Sequence, residues 1–289
     1  MKERRTAYLR EYLRGRAAFW VVFAVTAVAI IEGGAMRDLR VILGVPAVTA
    51  LAIFLVAYGA ATRRAKSDFF AELAPTLGLE YTVGGHYVPI TPLLAAGDRQ
   101  RFEHTMEGPL FGQLGGPDCL LGHFTYDTRH DPHEDVTLWK PHPFTVCAID
   151  NGAPMIRFRG LYLRPRLSGL GLDNDWLARA PRPEPVELES TRFNELYDLR
   201  AANDQDELAL RELFSPSFVL WLSEHPLQPG FECKAGTLVV FIRGHEQSAG
   251  KITMLHEAAR EITRRLARQV EEGGKAASGH FSAAGQMIR

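Results

Sequence analysis

The chain has 289 residues, 46% hydrophobic and 23% charged, with 33 basic side chains against 34 acidic ones. Such a composition excludes a disordered polymer, a collagen-like repeat and a disulfide-rich miniprotein. A net charge of -1 also excludes a protein that grips nucleic acid through bulk positive charge, so no nucleic-acid partner is expected.

That balance averages two unlike parts. Residues 1–62 carry eight Lys and Arg against four acids, which leaves 25 basic and 30 acidic residues in 63–289. A basic end of this kind points to membrane or nucleic-acid contact, and the next segment decides between them. Residues 41–62 form a run of 22 without one charge. As a helix at about 1.5 Å per residue it spans roughly 33 Å, enough for the hydrocarbon core. Pro46 stands near its start, where a missing N–H does least harm. The upstream run, 17–31, is 15 residues and needs flanking residues to cross fully, with Arg14 and Arg16 snorkelling outward. A signal peptide is the competing reading of this run. A second apolar span follows within ten residues and leaves no exported domain between the two, which favours a two-helix hairpin.

Six basic residues precede the first span, and Arg63, Arg64 and Lys66 follow the second, whereas the connecting loop has only Arg37 and Arg40 offset by two acids. The positive-inside rule therefore puts both termini in the cytoplasm, with the lipid bilayer as partner through 17–62. Cys119, Cys147 and Cys233 are odd in number, widely spaced and set in apolar runs, so they read as reduced core cysteines.

Beyond the spans, Ser67 and Asp68 cap a short helix carrying Phe69, Phe70, Leu73 and Leu77, or continue the second span. From about 110 to 164, LFGQL, CLLGHFTY, VTLW, FTVCAI and MIRFRGLYL are short β-rich runs between Gly, Pro and Asp clusters, which predicts antiparallel hairpins. Residues 164–190, rich in Pro and Gly, read as a long irregular excursion. RFNELYDLRA predicts a strand with Phe193, Tyr197 and Leu199 on one side, followed by a helix capped at Asn203 or Asp204 and running through Phe214. Ser215-Pro216 restarts a helix. TLVVFI, 237–242, suits a central strand. The last helix, from about Lys251 to Glu272, lays Ile252, Leu255, Ala259, Ile262 and Leu266 in one stripe, and Gly273-Gly274 stops it.

Chemistry is harder to find. His123, His130, His133 and His142 fall within twenty residues, with Asp131, Glu134 and Asp135 among them, and these are donor types a divalent metal uses. Their spacing matches no metal signature, and the 130–135 stretch reads equally as a solvated hairpin loop. Three His-Glu pairs, at 133, 245 and 256, have Thr137, Ala249 and Arg260 where a zincin helix needs its second histidine. Gly244 to Lys251 has the look of a phosphate loop, but it is one residue too long and Ile252 stands where Ser or Thr should hold magnesium. Gly169-Leu-Gly171 lacks the third glycine, with Asn174 in its place, and no Gly-x-Ser-x-Gly elbow exists. Among Leu, Val and Ile, the thiols of Cys119 and Cys147 are expected to stay neutral and inert. The arginines of the last helix can meet lipid or a partner, while Glu257 and Glu261 beside them make an ion-paired solvated face the simpler reading.

The order Ser190-x-x-Phe193-x-x-x-Tyr197-x-Leu199, then Asp204, then Leu213-Phe214-Ser215-Pro216-x-Phe218-x-x-x-Leu222 resembles an uncharacterised bacterial family of membrane-anchored proteins with a domain of unknown function. The resemblance is clearest over about 190–245, supported by Gly122-His123-Phe124 and the N-terminal hairpin. It implies two transmembrane helices with a cytosolic α+β domain behind them, and no catalytic residue.

The expected fold is therefore α+β: a basic cytosolic N-terminus (1–16), a transmembrane helical hairpin (17–62), a cytosolic domain with a mainly antiparallel sheet and flanking helices (63–272), and a disordered tail (273–289). The expected function is a two-pass inner-membrane interaction or sensing module, without enzymatic chemistry or cofactor and with a protein as a candidate partner. A membrane-tethered metal-dependent hydrolase using His123, His130, His133 and His142 is one alternative. A structural subunit of a membrane complex is the other.

Overall fold

The computed structural model describes residues 2–14, 21, 24–25, 27–28, 39–85, 87–112, 116–133, 136–150, 158, 160–166 and 183–285. The chain divides into two compact units, Met1–Leu73 and Ala74–Arg289.

In the first unit, α1 (Lys2–Arg14) runs beside α2 (Leu39–Thr76). Arg4 pairs with Glu72, Tyr8 donates to Asp68, and Arg64 pairs with Glu11 at 3.6 Å. Numbers rise along α1 as they fall along α2, so the two helices are antiparallel, with about one polar contact per turn. The short helix expected at Ser67 is the continuation of α2, which runs unbroken past Ser67 and Asp68 and ends within two residues of Pro75. At about 1.5 Å per residue, the 38 residues of α2 run roughly 57 Å. Its stretch Ala47–Thr76 is long and apolar enough to cross a membrane, and only 11% of its most apolar window is buried. Most of 17–31 lies outside the described residues, and so does the predicted first span.

The second unit is built on one nine-stranded antiparallel sheet. Its strands are β1 (Glu80–Thr82), β2 (Arg99–Pro109), β3 (Asp118–His133), β4 (Val136–Asp150), β5 (Leu161–Pro165), β6 (Glu184–Pro185), β7 (Tyr197–Ala201), β8 (Gly230–Lys234) and β9 (Thr237–Arg243), in the order β1-β2-β3-β4-β9-β8-β5-β7-β6. TLVVFI lies in β9, the fifth strand of nine, and is buried from Thr237 to Ile242 as a central strand should be. VTLW and FTVCAI belong to one strand, β4, despite Pro141 and Pro143. The reason lies in the pairing. β9 pairs with β4 over 144–150, and at the end of that pairing the Pro143 carbonyl still accepts from Gly244 N at 2.9 Å. The Thr145 hydroxyl donates to the Gly244 carbonyl at 2.8 Å in place of the missing proline amide, and Pro141 lies beyond the pairing with β9. The charged strand β2 carries little apolar alternation, and the sequence did not predict it. Conversely, the strand expected at LFGQL is a turn at Leu110–Phe111, its remainder falling partly outside the described residues.

Among the described residues four helices accompany the sheet. α3 (Thr191–Leu196) replaces the first half of the strand expected there, because Ser190 caps it by accepting from the Phe193 amide at 3.3 Å. The chain turns extended only at Tyr197. α4 (Glu207–Leu213) is capped by Asp206 rather than Asn203 or Asp204, its carboxylate accepting from Leu208 N at 2.9 Å and Ala209 N at 3.4 Å. α5 (Pro216–Glu224) starts as predicted, with Pro216 at its first position. α6 (Ala249–Gly285) buries Ile252, Leu255, Ala259, Ile262 and Leu266 completely, each worth about 1.5–3 kcal/mol for the larger side chains. The helix continues past Gly273-Gly274. Two glycines weaken a helix by about 1 kcal/mol each without forbidding it.

Candidate functional site

Side chains alternate across a strand, so the register decides which residues meet on each face. One face carries Leu121, His123, Cys147, Val240 and Phe231, and α6 packs on its β4–β9 part. The opposite face carries Phe102, Phe124, Tyr126, Phe144, Val146, Tyr162, Val239 and Phe241 in one buried cluster. It has no helix over it among the described residues. The segment 83–98 crosses it instead, inserting Leu93, Leu94 and Ala96 and stacking Tyr87 edge-on against Phe102 at 4.9 Å and Phe124 at 5.8 Å.

Glu232 fastens this strap. It is fully buried, opposite Val239 and Tyr162 in the sheet, and its carboxylate accepts from the Leu93 amide at 2.9 Å. Burial raises its pKa to about 8, against the smaller opposing pull of Leu93 N, Thr91 and Arg164.

The strap leaves part of the face uncovered, and a cavity of about 640 Å³ lies there. Register builds its walls. One row across the strands is Glu80, Glu107, Leu120, Ala148 and Val239; the next is Pro109, Asp118, Asp150 and Thr237. Leu120 and Ala148 form an apolar floor, completed by Tyr87, Val88, Ile90 and Leu94 of the strap. Around it stand four carboxylates in two directly opposed pairs, Glu80 with Glu107 and Asp118 with Asp150. Like charges placed opposite each other destabilise a sheet by up to about 1 kcal/mol. Among the described residues no cation pairs with any of the four, and only Thr82 serves them, donating to Glu107 at 3.1 Å. None of these acids stands out in the sequence. The signal lay in which strands pair, and β1 and β2 were not predicted.

The histidines singled out in the sequence do not come together at one place. His123 stands opposite Thr145, whereas His142 stands opposite Tyr126, so the two project from opposite faces of the sheet. His142 stacks on Tyr126 at 4.5 Å and meets Thr128 at 3.0 Å. The backbones of His130 and His133 pair with Leu138 and Val136 at the far end of the hairpin, with His130 roughly 24 Å along the strand from His123 at about 3.4 Å per residue. The side chains of His130 and His133 lie outside the described residues, as do Glu134 and Asp135. His123 instead joins His245, stacked at 4.4 Å and 3°, and His104, edge-on at 6.4 Å. Its Nε2 donates to the Glu246 carbonyl at 2.7 Å, and Tyr81 meets His104 at 2.8 Å. This trio brackets the loop into α6 and adds His104, which the sequence did not single out, and His245, which it offered only as a His-Glu pair. Among the described residues no three His, Cys, Asp or Glu side chains are grouped to hold a metal ion.

The Gly244–Lys251 loop is a strand-to-helix turn, with Gly244 at φ 84°. Its amides are already taken: the Glu246 carboxylate accepts from Gln247 N at 2.8 Å and Ser248 N at 2.9 Å, and Lys251 pairs with it at 3.1 Å. Their pull outweighs its partial burial and lowers the Glu246 pKa. On α6, Arg260 pairs with Glu257 at 3.0 Å and Arg265 with Glu261 at 2.7 Å, the ion-paired face expected there. Gly169-Leu-Gly171 lies outside the described residues.

Of the thiols, Cys147 is fully buried, and both its neighbour Cys119 and burial raise its pKa. Cys119 departs from the sequence reading. The Cys147 thiol, and after it His256 from α6, hold its pKa below the ordinary range despite burial. His256 is 137 residues away in the chain, so the composition around Cys119 could not reveal it.

No family model matches the chain, and no curated protein matches it. A solved structure, the crystal structure of the mycobacterial trehalose monomycolate transport factor A, TtfA, is similar to it at 13% identity over 71% of this chain and 92% of that one, with a TM-score of 0.40. A likeness that distant bears on neither site nor function.

Proposed function

We propose that this protein is a membrane-anchored binding module whose sheet cavity takes a small organic ammonium ligand: an apolar tail or ring with a cationic head. The observation that carries this reading is the cavity itself. Its volume falls within the roughly 300–1,000 Å³ of sites for small organic ligands. Its apolar floor would shed water on receiving a hydrocarbon group, and its four unneutralised carboxylates favour a positive one. A cation between Asp118 and Asp150 would relieve the repulsion that their register imposes.

The anchor in this reading is a hairpin of spans 17–31 and 41–62 in a bacterial inner membrane, with both termini in the cytoplasm. The contacts between α1 and α2 support it. Residues 4, 8 and 11 meet 72, 68 and 64 in antiparallel order, as the cytoplasmic end of a helical hairpin would. The family resemblance over 190–245 is consistent with the same arrangement.

The test is calorimetric titration of the full chain in zwitterionic nanodiscs, with empty nanodiscs as blank. n-Octylammonium should bind saturably near one to one, n-octanoate should not, and Asp118→Asn with Asp150→Asn should weaken the amine about tenfold or more. Equal binding of amine and acid, or none above the blank, would sink the reading.

A further inference from the structure

The face beneath α6 holds a group of buried side chains that the ligand reading does not use, although Cys119 among them also borders the cavity. Cys119 stands opposite Ile149 and Cys147 opposite Leu121, so both cysteines share one face as diagonal neighbours on β3 and β4. The Cys147 thiol and the His256 imidazole both stand close enough to Cys119 to act on its thiol. His256 is itself 2% exposed, and neither of its ring nitrogens makes a hydrogen bond of full geometry. A buried imidazole with no settled partner costs stability wherever it is only structural. Cys119 is also the one cysteine of the three with any exposure, 3%, against 0% for Cys147 and Cys233. Cys233 differs in chemistry as well: its thiol meets the Phe158 carbonyl at 3.7 Å, and burial pushes its pKa up to about 12.

We propose that Cys119 is a hydroperoxide-reactive thiol, with His256 as the base that deprotonates it and Cys147 as the neighbour that steadies the thiolate. The thiolate sulfur attacks one peroxide oxygen. An S–O bond forms, the O–O bond breaks, and the leaving alkoxide or hydroxide takes the proton held on His256. Cys119 becomes a sulfenic acid, oxidised by two electrons, and the peroxide is reduced to alcohol or water. Where Cys147 then attacks, an S–S bond forms, the S–O bond breaks and water leaves. Diagonal neighbours stand near the upper reach of a disulfide, so that second step draws β3 and β4 together under α6. The cavity reading plays no part in this inference, and either stands without the other.

The experiment exposes the full chain in nanodiscs to hydrogen peroxide and reads each cysteine by peptide mass spectrometry. Cys119 should be lost at least tenfold faster than Cys233, appearing as a dimedone adduct in Cys147→Ser and as that adduct or a Cys119–Cys147 disulfide in the parent. His256→Gln should slow the reaction about tenfold at pH 7 and move the pH midpoint of Cys119 alkylation upward. That variant counts only with unchanged α6 hydrogen exchange, and Cys147→Ser carries the test without it. Loss of the three cysteines at one rate in folded protein, or a His256→Gln that folds and reacts like the parent, would overturn the assignment.

Discussion

The two faces of the sheet are covered by different means. On one, α6 lays a stripe at helical spacing onto β4 and β9, and every residue of that stripe is buried. On the other, the strap 83–98 covers Phe102, Phe124 and Tyr162 with two leucines and one alanine, is held by the buried Glu232 carboxylate of β8, and leaves a cavity beside them. A helix satisfies its own backbone hydrogen bonds and can seal a face with side chains alone. An irregular strap must find partners for its amides, which is why a glutamate sits inside an apolar cluster to receive Leu93 N. The difference teaches where stability and binding separate: the helical face is packed for the first, the strap face leaves room for the second.

The largest expected effect breaks the packed face. Leu255→Ala, at a fully buried position on α6, should cost about 2–5 kcal/mol by thermal or urea unfolding. Ile90→Ala, on the cavity wall, should cost less than about 1 kcal/mol, since it removes methylenes from beside an existing space. Equal costs would erase the distinction between the faces.

Next comes the geometry that shapes the cavity's strands. β2 shifts register between Phe102 and Thr105, and a Cβ on Gly122 would lie 2.2 Å from the His104 carbonyl. Gly122→Ala must therefore push the strands apart, at about 1–3 kcal/mol, and its unfolding midpoint should fall accordingly.

Glu232 gives the strap face a pH dependence of its own. Its folded pKa of about 8 lies above the ordinary 4.5, so folding takes up a proton between those values. Stability is highest below about 4.5 and falls as pH rises through about 8, on the order of 1 kcal/mol per pH unit within the window. Glu232→Gln keeps an acceptor for Leu93 N and should flatten the decline, with its advantage over the parent growing from pH 5 to pH 8. A parallel decline in both proteins would remove Glu232 as its source.

The smallest effect has the most telling sign. Asp118→Asn should stabilise the sheet by about 0.2–1 kcal/mol by relieving its repulsion with Asp150, while weakening the ammonium ligand. That opposite movement of stability and affinity is what the proposed cation site requires.

The sequence carried the fold unevenly, for physical reasons. α6 was legible because Ile252, Leu255, Ala259, Ile262 and Leu266 repeat at 3.6-residue spacing, and β9 because a strand buried on both faces is a continuous apolar run. The antiparallel sheet followed from turn-separated β-rich runs. β2 was hidden because RQRFEHTMEGP carries charges at 99, 101, 103 and 107 and only Phe102 and Met106 as large apolar residues, and its burial comes from partners on β1 and β3 rather than from its own pattern. The start of 191–201 was misjudged because Phe193, Tyr197 and Leu199 fit a strand's face until Ser190 closes a helical turn. The site was less legible still. Its four acids come from four strands, and their opposition exists only in the register. The histidines 123 and 142 looked like neighbours in sequence, and the period-two alternation of β3 and β4 sends them to opposite faces.

Hydrogen exchange of the full chain in nanodiscs, with and without saturating n-octylammonium, tests the central claim most directly. The account predicts slowed exchange confined to 78–96 and 107–120, with the amides of α6 unchanged. Protection spread over α6, or none in the strap, would contradict it.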